Sequence, residues 1–487
     1  MKFAFNVYYK IFMFGIHSFI CIILYLITIA FYYISDVDVM RFLVYAVMVI
    51  NIIPKVDDTK KNFLFLAFHF TFFLFLLGSD FASFFAVDRE LQVNVLDQFK
   101  NETKLHVYFL LALSLISVGF GYNYKSNIRK GITCSFVDYD INYVENVRSV
   151  SKFLMYFFSI FAVAVELEKC IFVQTIGYVD YYLSYNSHMP LFVVKFATFY
   201  TTCFLIYLST LPSKKEVIKP LLLFVVIGAF SLGYGQRNGA MLSLVLALFY
   251  LNFRDIRSRG TEIWISKRLK YIIIVSFPML ILFLYAFNSM RNNLETATYN
   301  STIDNFLAFF SQQGGSVQLI GMQKDFSDAG QIPDAKFYSF GTLIDFFQQN
   351  IISKMLGVAP SYEPKSYELA MHGHHFGETM TYLYRPDLYA AGFGVGSCYI
   401  AEIFNDFSYI GVILLNFCYG ALFRLSNQIK LTNIWRLFAL LVVVKFIIYA
   451  PRSGAMDFLT GFFTISITGL ALIIHFYIKI RKSLYGK

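Results

Sequence analysis

Apolar residues along this chain come in long unbroken runs, not in alternation. Twelve such runs stand at roughly 11–34, 38–53, 62–82, 105–121, 152–168, 190–212, 218–234, 239–253, 271–289, 398–423, 436–451 and 456–478. A bilayer core about 30 Å thick takes about 20 apolar residues per helical span. Continuous apolar character selects helices over barrel strands, which would alternate. The pattern predicts an all-α polytopic membrane protein with about 12 transmembrane helices. The first run is too long for a signal peptide and lacks a small-residue cleavage site, so a retained first helix is expected.

One connection departs from the rest. Residues 290–397 form a long segment between the ninth and tenth runs. Loops this long usually carry function. This one has its own periodicity. Ile303, Phe306, Leu307 and Phe310 repeat at i, i+3, i+4, i+7, and Ile344, Phe347 and Ile351 at i, i+3, i+7. Both stretches predict amphipathic helices suited to a membrane surface. Gly314-Gly315, Pro333, Pro360 and Pro364 punctuate them. The chain is thus expected to divide into helices one to nine (1–289), a large outer loop (290–397) and helices ten to twelve (398–487).

Composition excludes several classes. Hydrophobic residues make up 57% and charged residues only 15%, against about 25% charged in a soluble domain. Mean hydropathy is +0.58. Disordered chains, fibres, disulfide scaffolds and soluble multidomain enzymes do not fit. The net charge of +10 needs no nucleic acid. With the N-terminus in the cytoplasm, 26 of the 41 lysines and arginines fall on the inner side, 12 on the outer side and three within spans. That imbalance predicts both termini inside and the 290–397 loop outside. The six cysteines show no CxxC spacing and mostly lie in apolar runs, so no chemistry is assigned to them.

Against this bias, three arginines are expected at outer helix ends. Arg237 lies in Gly235-Gln236-Arg237-Asn238-Gly239, Arg291 follows the ninth run, and Arg452 lies in Pro451-Arg452-Ser453-Gly454. A guanidinium is always charged, and its planar fork of donors matches phosphate oxygens bidentately. Glycines beside it admit a ligand close to the backbone. Three converging arginines suit a lipid diphosphate. The plainer alternative is that each snorkels to lipid headgroups.

The loop adds His372-Gly373-His374-His375, then Glu378 and Arg385. Three histidines in four residues raise the question of zinc, and His374 with Glu378 would share a helix face. With no second ligand cluster, and with Gly373 and Gly377 interrupting, neither metal nor cofactor is expected. A histidine as proton acceptor suits the chemistry better, beside the alternative of a solvated polar loop. Glu402 and Asp406, four apart at the start of the tenth run, are intramembrane carboxylates and therefore candidates, unless they lie at the interface in water. Glu166, Glu168 and Lys169 read as a solvated helix end.

Three stretches resemble the Wzy-type oligosaccharide repeat-unit polymerases, the O-antigen polymerases of bacterial envelopes. They are Leu232-Gly-Tyr-Gly-Gln-Arg-Asn-Gly-Ala-Met-Leu, Gly394-Val-Gly-Ser-Cys-Tyr-Ile-Ala-Glu-Ile-Phe-Asn-Asp-Phe-Ser-Tyr-Ile-Gly-Val, and Pro451-Arg-Ser-Gly. The number of spans, the outer loop before the last three helices, and the tyrosine-rich stretch Tyr178 to Tyr185 are similar too. Ser408 departs, standing where the family pattern often has glycine. The resemblance implies polymerisation of undecaprenyl-diphosphate-linked oligosaccharides into O-antigen or capsular polysaccharide, on the periplasmic face of the inner membrane. An acceptor sugar hydroxyl attacks, and undecaprenyl diphosphate leaves. Arg237 and Arg452 would grip the diphosphate with Arg291 assisting. His374, His375 and Glu402 are candidate bases. Arg385, His372 and Glu378 are further substrate contacts. Membrane lipid surrounds the protein, and a chain-length regulator and a flippase are possible partners.

Two rivals stand beside this reading. An O-antigen ligase would transfer the same donor to a lipid A core with the same residues. A non-enzymatic transporter or flippase would need internal repeats and midplane charges. Lys195 and Lys445 are its only hints.

Overall fold

The computed structural model describes residues 19–124, 140–177, 181, 185–258, 261–292, 301–334, 336–348, 353, 356–357, 362–428 and 433–485. The expectations for 11–18, for Ile351 and Pro360, and for most of Tyr178 to Tyr185 lie outside these residues. Among the described residues all regular structure is helical. Ten helices are long and apolar enough to cross a membrane. An eleventh span is formed if Asp457–Phe463 and Ile465–Arg481, bent by 50° at their break, count as one. Phe19–Ile34, a shorter apolar helix, falls in the first predicted run. The helices sit where the apolar runs stand. The largest difference in extent is the fifth, Ile141–Thr175, which reaches well beyond the predicted 152–168.

The helix ends follow local chemistry. The Asp36 carboxylate accepts from the Asp38 and Val39 amides at the start of Val37–Val56, satisfying donors that have no partner within the helix. Glu216 reaches back to the Ser213 amide at 2.9 Å, half of a capping box.

Packing divides the chain into two compact units. Unit 1 comprises residues 1–130, 298–428 and 447–457. Its centre is Asn101–Asn123, 94% of whose apolar stretch is buried. Tyr399–Gln428 lies along that helix, backbone against backbone. A methyl at Gly121 would sit 2.0 Å from the Phe417 carbonyl oxygen, and one at Gly420 would sit 2.1 Å from that of Val118. Small residues permit this approach where no hydrophobic effect drives helices together. Buried hydrogen bonds add to it. Asn416 accepts from the Tyr399 hydroxyl at 2.7 Å and donates to Ser114.

A buried carboxylate ties unit 1 together further along. Asp80 accepts from Arg41 Nε at 3.0 Å, from the Tyr45 and Tyr108 hydroxyls at 2.7 Å each, and from the Asn94 amide. A buried charge is tolerable only when satisfied in this way. Arg41 therefore belongs to the interior of unit 1 and is not a stray span arginine.

Segment 301–397 builds part of unit 1 and does not lie flat on it. The predicted amphipathic helix forms as Thr302–Gln313, with Leu307, Ala308, Phe309 and Phe310 buried. It packs on Gly78–Phe85 so closely that a methyl at Gly314 would sit 2.0 Å from the Ser79 nitrogen. Leu307 and Phe310 of its apolar face are spent on protein, while Ile303 at its start stays exposed. Gly341–Gln348 forms the second predicted helix.

Unit 2 comprises 131–297, 429–446 and 458–487. Its helices Lys214–Gly233 and Asn238–Arg257 make a hairpin of small residues. A methyl at Gly228 would meet the Ser243 hydroxyl at 2.3 Å, and the Ser231 hydroxyl accepts from the Ala240 amide at 3.0 Å. Phe204 and Phe224 stack at 4.2 Å between neighbouring helices.

Candidate active site

In unit 1 the site begins at Arg452, at the end of the span Ile434–Arg452. Its half-buried guanidinium donates to the Gln313 carbonyl at 3.5 Å and lies 5.4 Å above the Phe75 ring. No carboxylate among the described residues pairs with it. Phe75 belongs to a π turn, Phe73–Leu77, within the helix Phe63–Phe85. Such wide turns recur at functional sites. Thr71, just before it, donates to the Ile448 carbonyl at 2.7 Å. The close Gly78–Gly314 packing sets where the Gln313 carbonyl stands. The arginine is thus held by one weak neutral acceptor and one ring, which leaves most of its donors for an anion.

The turn after Arg452 is anchored on both sides. Glu402 is buried, accepting from the Ser397 hydroxyl at 2.5 Å and the Ala455 amide at 2.7 Å. Asp457 accepts from the Gly454 amide at 2.9 Å and from the Thr342 hydroxyl at 3.0 Å. Tyr419 donates to the Ala455 carbonyl at 2.6 Å. Asp406 accepts from the Tyr338 and Ser339 amides at 3.2 and 2.6 Å, capping the turn that leads into Gly341–Gln348. Both carboxylates of the pair flagged by spacing therefore bind backbone within the protein.

Between Asp406 and Glu402 and the rest of their helix stands Ser408, at φ 56° and ψ −156°. An L side chain is strained there, and glycine is the residue that adopts it freely. The position where the chain departs from the polymerase pattern is the one whose backbone asks for glycine.

The histidine run is not helical. Tyr367–His372 ends before Gly373, and the next helix, Phe376–Tyr384, begins after His375. His374 and Glu378 therefore do not share a helix face, correcting that expectation. Glu378 instead takes both oxygens to Lys365 Nζ, at 3.0 and 2.9 Å. His372 is exposed, its ring 6.4 Å from that of Tyr362. His374 lies against Gly341, its Nδ1 buried without a partner. Burial lowers its pKa, against the Asp345 carboxylate nearby, which raises it. His375 Nε2 approaches the Asp345 carboxylate at 3.0 Å. Arg385 is exposed and engaged by Asp387 at 2.6 Å, which holds that carboxyl down to about 2. Among the described residues no group of three or more His, Cys, Asp or Glu side chains is placed to hold a metal ion.

Unit 2 carries Arg237. Lys214–Gly233 ends in a Schellman turn: the Gln236 amide bonds the Ser231 carbonyl at 2.8 Å and the Gly235 amide that of Leu232 at 3.0 Å. Gly235 stands at φ 84°, a conformation glycine adopts freely. Arg237 follows, half-buried, and donates to the Leu284 carbonyl at 3.3 Å. The Arg291 side chain lies outside the described residues.

The structure thus brings Arg452, Glu402, His374 and His375 into unit 1, together with residues that sequence reasoning missed: Thr342, Asp345, Lys336 and Asp457. One signal was readable. Asp345 interrupts the apolar stretch Leu343–Phe347, and an acid on such a face needs a partner.

The arrangement defines a multi-pass, all-α membrane protein with a half-buried arginine beside a polar cluster to which a long inter-helix segment contributes. The family model described as O-antigen polysaccharide polymerase Wzy matches residues 16–483, and the chain belongs to that family. Its members are polymerases of lipid-linked oligosaccharide repeat units in the membrane. No curated protein and no solved structure matches the chain.

Proposed function

We propose that this protein extends an undecaprenyl-diphosphate-linked glycan with new lipid-linked repeat units. The reaction occurs on the periplasmic face of the bacterial cytoplasmic membrane, with both termini in the cytoplasm and segment 290–397 outside. A sugar hydroxyl of the acceptor attacks the anomeric carbon of the donor. The bond from that carbon to the bridging oxygen breaks, and undecaprenyl diphosphate leaves with the electron pair. The barrier lies in the charge that builds on that oxygen. Preorganised donors in a partly dry site stabilise such charge without reorganising. The observation that carries this reading is Arg452: half-buried, in a turn anchored by Glu402 and Asp457, and with no carboxylate partner among the described residues. We assign it to the diphosphate. Glu402, with both oxygens engaged, serves to hold that turn. Arg237, in its fixed turn, is assigned a phosphate contact on the resemblance of that turn to the family's, with Arg291 as a further cation.

Arginines that neutralise the leaving group make a bound cation unnecessary, so elongation proceeds in excess EDTA. A chain-length regulator and a flippase act beside the enzyme in this scheme. The test is glycan ladder length in a strain whose chromosomal copy is replaced by Arg452→Lys, with protein level checked by blot. Lysine keeps the charge but loses the fork. A shortened or absent ladder at normal protein level supports the diphosphate grip, and a full-length ladder overturns it.

A further inference from the structure

We propose that Asp345 and His375 form a carboxylate–imidazole pair in which His375 accepts the proton of the incoming sugar hydroxyl and Asp345 positions it; this rests on the polymerase reading above. Asp345 is buried on Gly341–Gln348, while His375 is 43% exposed at the start of Phe376–Tyr384. Its Nε2 lies 3.0 Å from Asp345 Oδ2, off the line of a straight hydrogen bond, and that oxygen has no other partner among the described residues. A buried carboxylate oxygen left to a single imidazole is costly unless the pair has work to do.

The geometry sets the tautomer. With the carboxylate at Nε2, the ring carries its proton there and presents the lone pair of Nδ1, as in other acid–histidine pairs. Among the described residues no hydrogen bond holds the His375 ring elsewhere. His374 is the poorer base, because its own Nδ1 is buried. Glu402 is occupied by Ser397 and Ala455. The helix that presents Asp345 is fixed one turn earlier, where Thr342 binds Asp457 in the turn after Arg452. The base and the diphosphate arginine are therefore braced by one helix.

In the step, the acceptor oxygen forms its bond to the anomeric carbon as its proton passes to His375 Nδ1. The imidazolium that results faces Asp345. Around His374 the charged and titratable neighbours are Asp345, Lys336, whose Nζ donates to the Gly373 carbonyl at 2.9 Å, His375 and Asp406. Removing the Asp345 charge takes away the anion that lies 3.0 Å from His375 Nε2.

Two readouts test the pair on the full chain in lipid nanodiscs. The first is carbethoxylation of His375 against pH, followed by mass spectrometry, which needs no turnover. In Asp345→Asn the reactivity curve of His375 should move to lower pH, and Asp345→Glu should restore part of the shift. An unmoved curve overturns the pair. The second is elongation of lipid-linked repeats against pH. Asp345→Asn should lower turnover about a hundredfold with the KM for the lipid-linked acceptor unchanged, and should move the acid limb the same way. His375→Gln should abolish that limb, and Asp345→Asn should add little on top of it. Losses that multiply in the double variant also overturn the pair. If the reactivity curve moves but wild-type protein elongates nothing, the pair stands and the polymerase reading falls.

Discussion

The two units hold their helices by different means. In unit 1, Asn101–Asn123 is 94% buried along its apolar stretch, and its contacts run through backbone and satisfied polar groups, such as Gly121 on the Phe417 carbonyl and the Asp80 cluster. In unit 2, Lys267–Tyr285 is only 18% buried and Lys214–Gly233 33%. Its close contacts fall on side chains, such as the Ser243 hydroxyl and Cβ that face Gly228 at 2.3 and 2.7 Å. The difference teaches where a site needing fixed geometry belongs. A catalytic constellation displaced by 1 Å can lose about a hundredfold in rate. Unit 1, with backbone seated on backbone, carries Arg452, Asp345 and His375.

The largest expected effect is at Arg452. Arg452→Lys should lower elongation by about 2.7–4 kcal/mol of transition-state stabilisation, a hundredfold or more, while the protein still inserts. Arg237→Lys sharpens the comparison. If unit 2 supplies an equivalent phosphate grip the loss will match, and if its arginine only snorkels the ladder will be unchanged.

Next come the packing variants. Gly121→Ala forces a methyl to 2.0 Å from a carbonyl oxygen that cannot rotate away. It should cost about 1–3 kcal/mol or more, read as a drop in thermal midpoint in detergent. Gly228→Ala meets the Ser243 hydroxyl at 2.3 Å, which can change rotamer, and the Ser243 Cβ at 2.7 Å, which moves only with its helix; it should cost less than Gly121→Ala by the part the hydroxyl yields, and still lower the midpoint. Equal drops would erase the distinction drawn between the units.

Ser408→Gly works in the other direction. At φ 56° and ψ −156° the serine is strained, and glycine relieves the strain. Stabilisation of about 1 kcal/mol is expected, measured by the same melt, with elongation retained. The smallest effect belongs to Arg385→Ala. Arg385 and Asp387 form an exposed pair, and water screens such pairs so that they add little to stability. Ladder length should not change.

The positions and order of the helices were legible because the bilayer imposes its length on every apolar run, and the described helices fall on the predicted ones, ten or eleven of them long enough to span where twelve runs were read. The turn arginines were legible because Arg237 and Arg452 stand in short turns between spans, where charge has few other reasons to be. Glu402 and Asp406 were found by their spacing, but their work was not: one holds the Ala455 amide and the other caps Tyr338 and Ser339. Those partners lie more than fifty residues away along the chain, and no local pattern connects them.

The sequence by itself therefore determined the class of protein, its helical spans and the residues rich in charge or proton chemistry, because composition and period act locally. Which of those residues meet was left to the tertiary structure. His374 and His375 are neighbours in the chain, yet one is shut against Gly341 and the other faces Asp345. That choice depends on how Gly341–Gln348 is seated by the Asp406 cap and the Thr342–Asp457 bond, and so on packing between segments joined only through the fold. The same holds for Ser408: its residue type is written in the chain, but the backbone angle that makes serine a strained choice exists only once the helix has been bent into place.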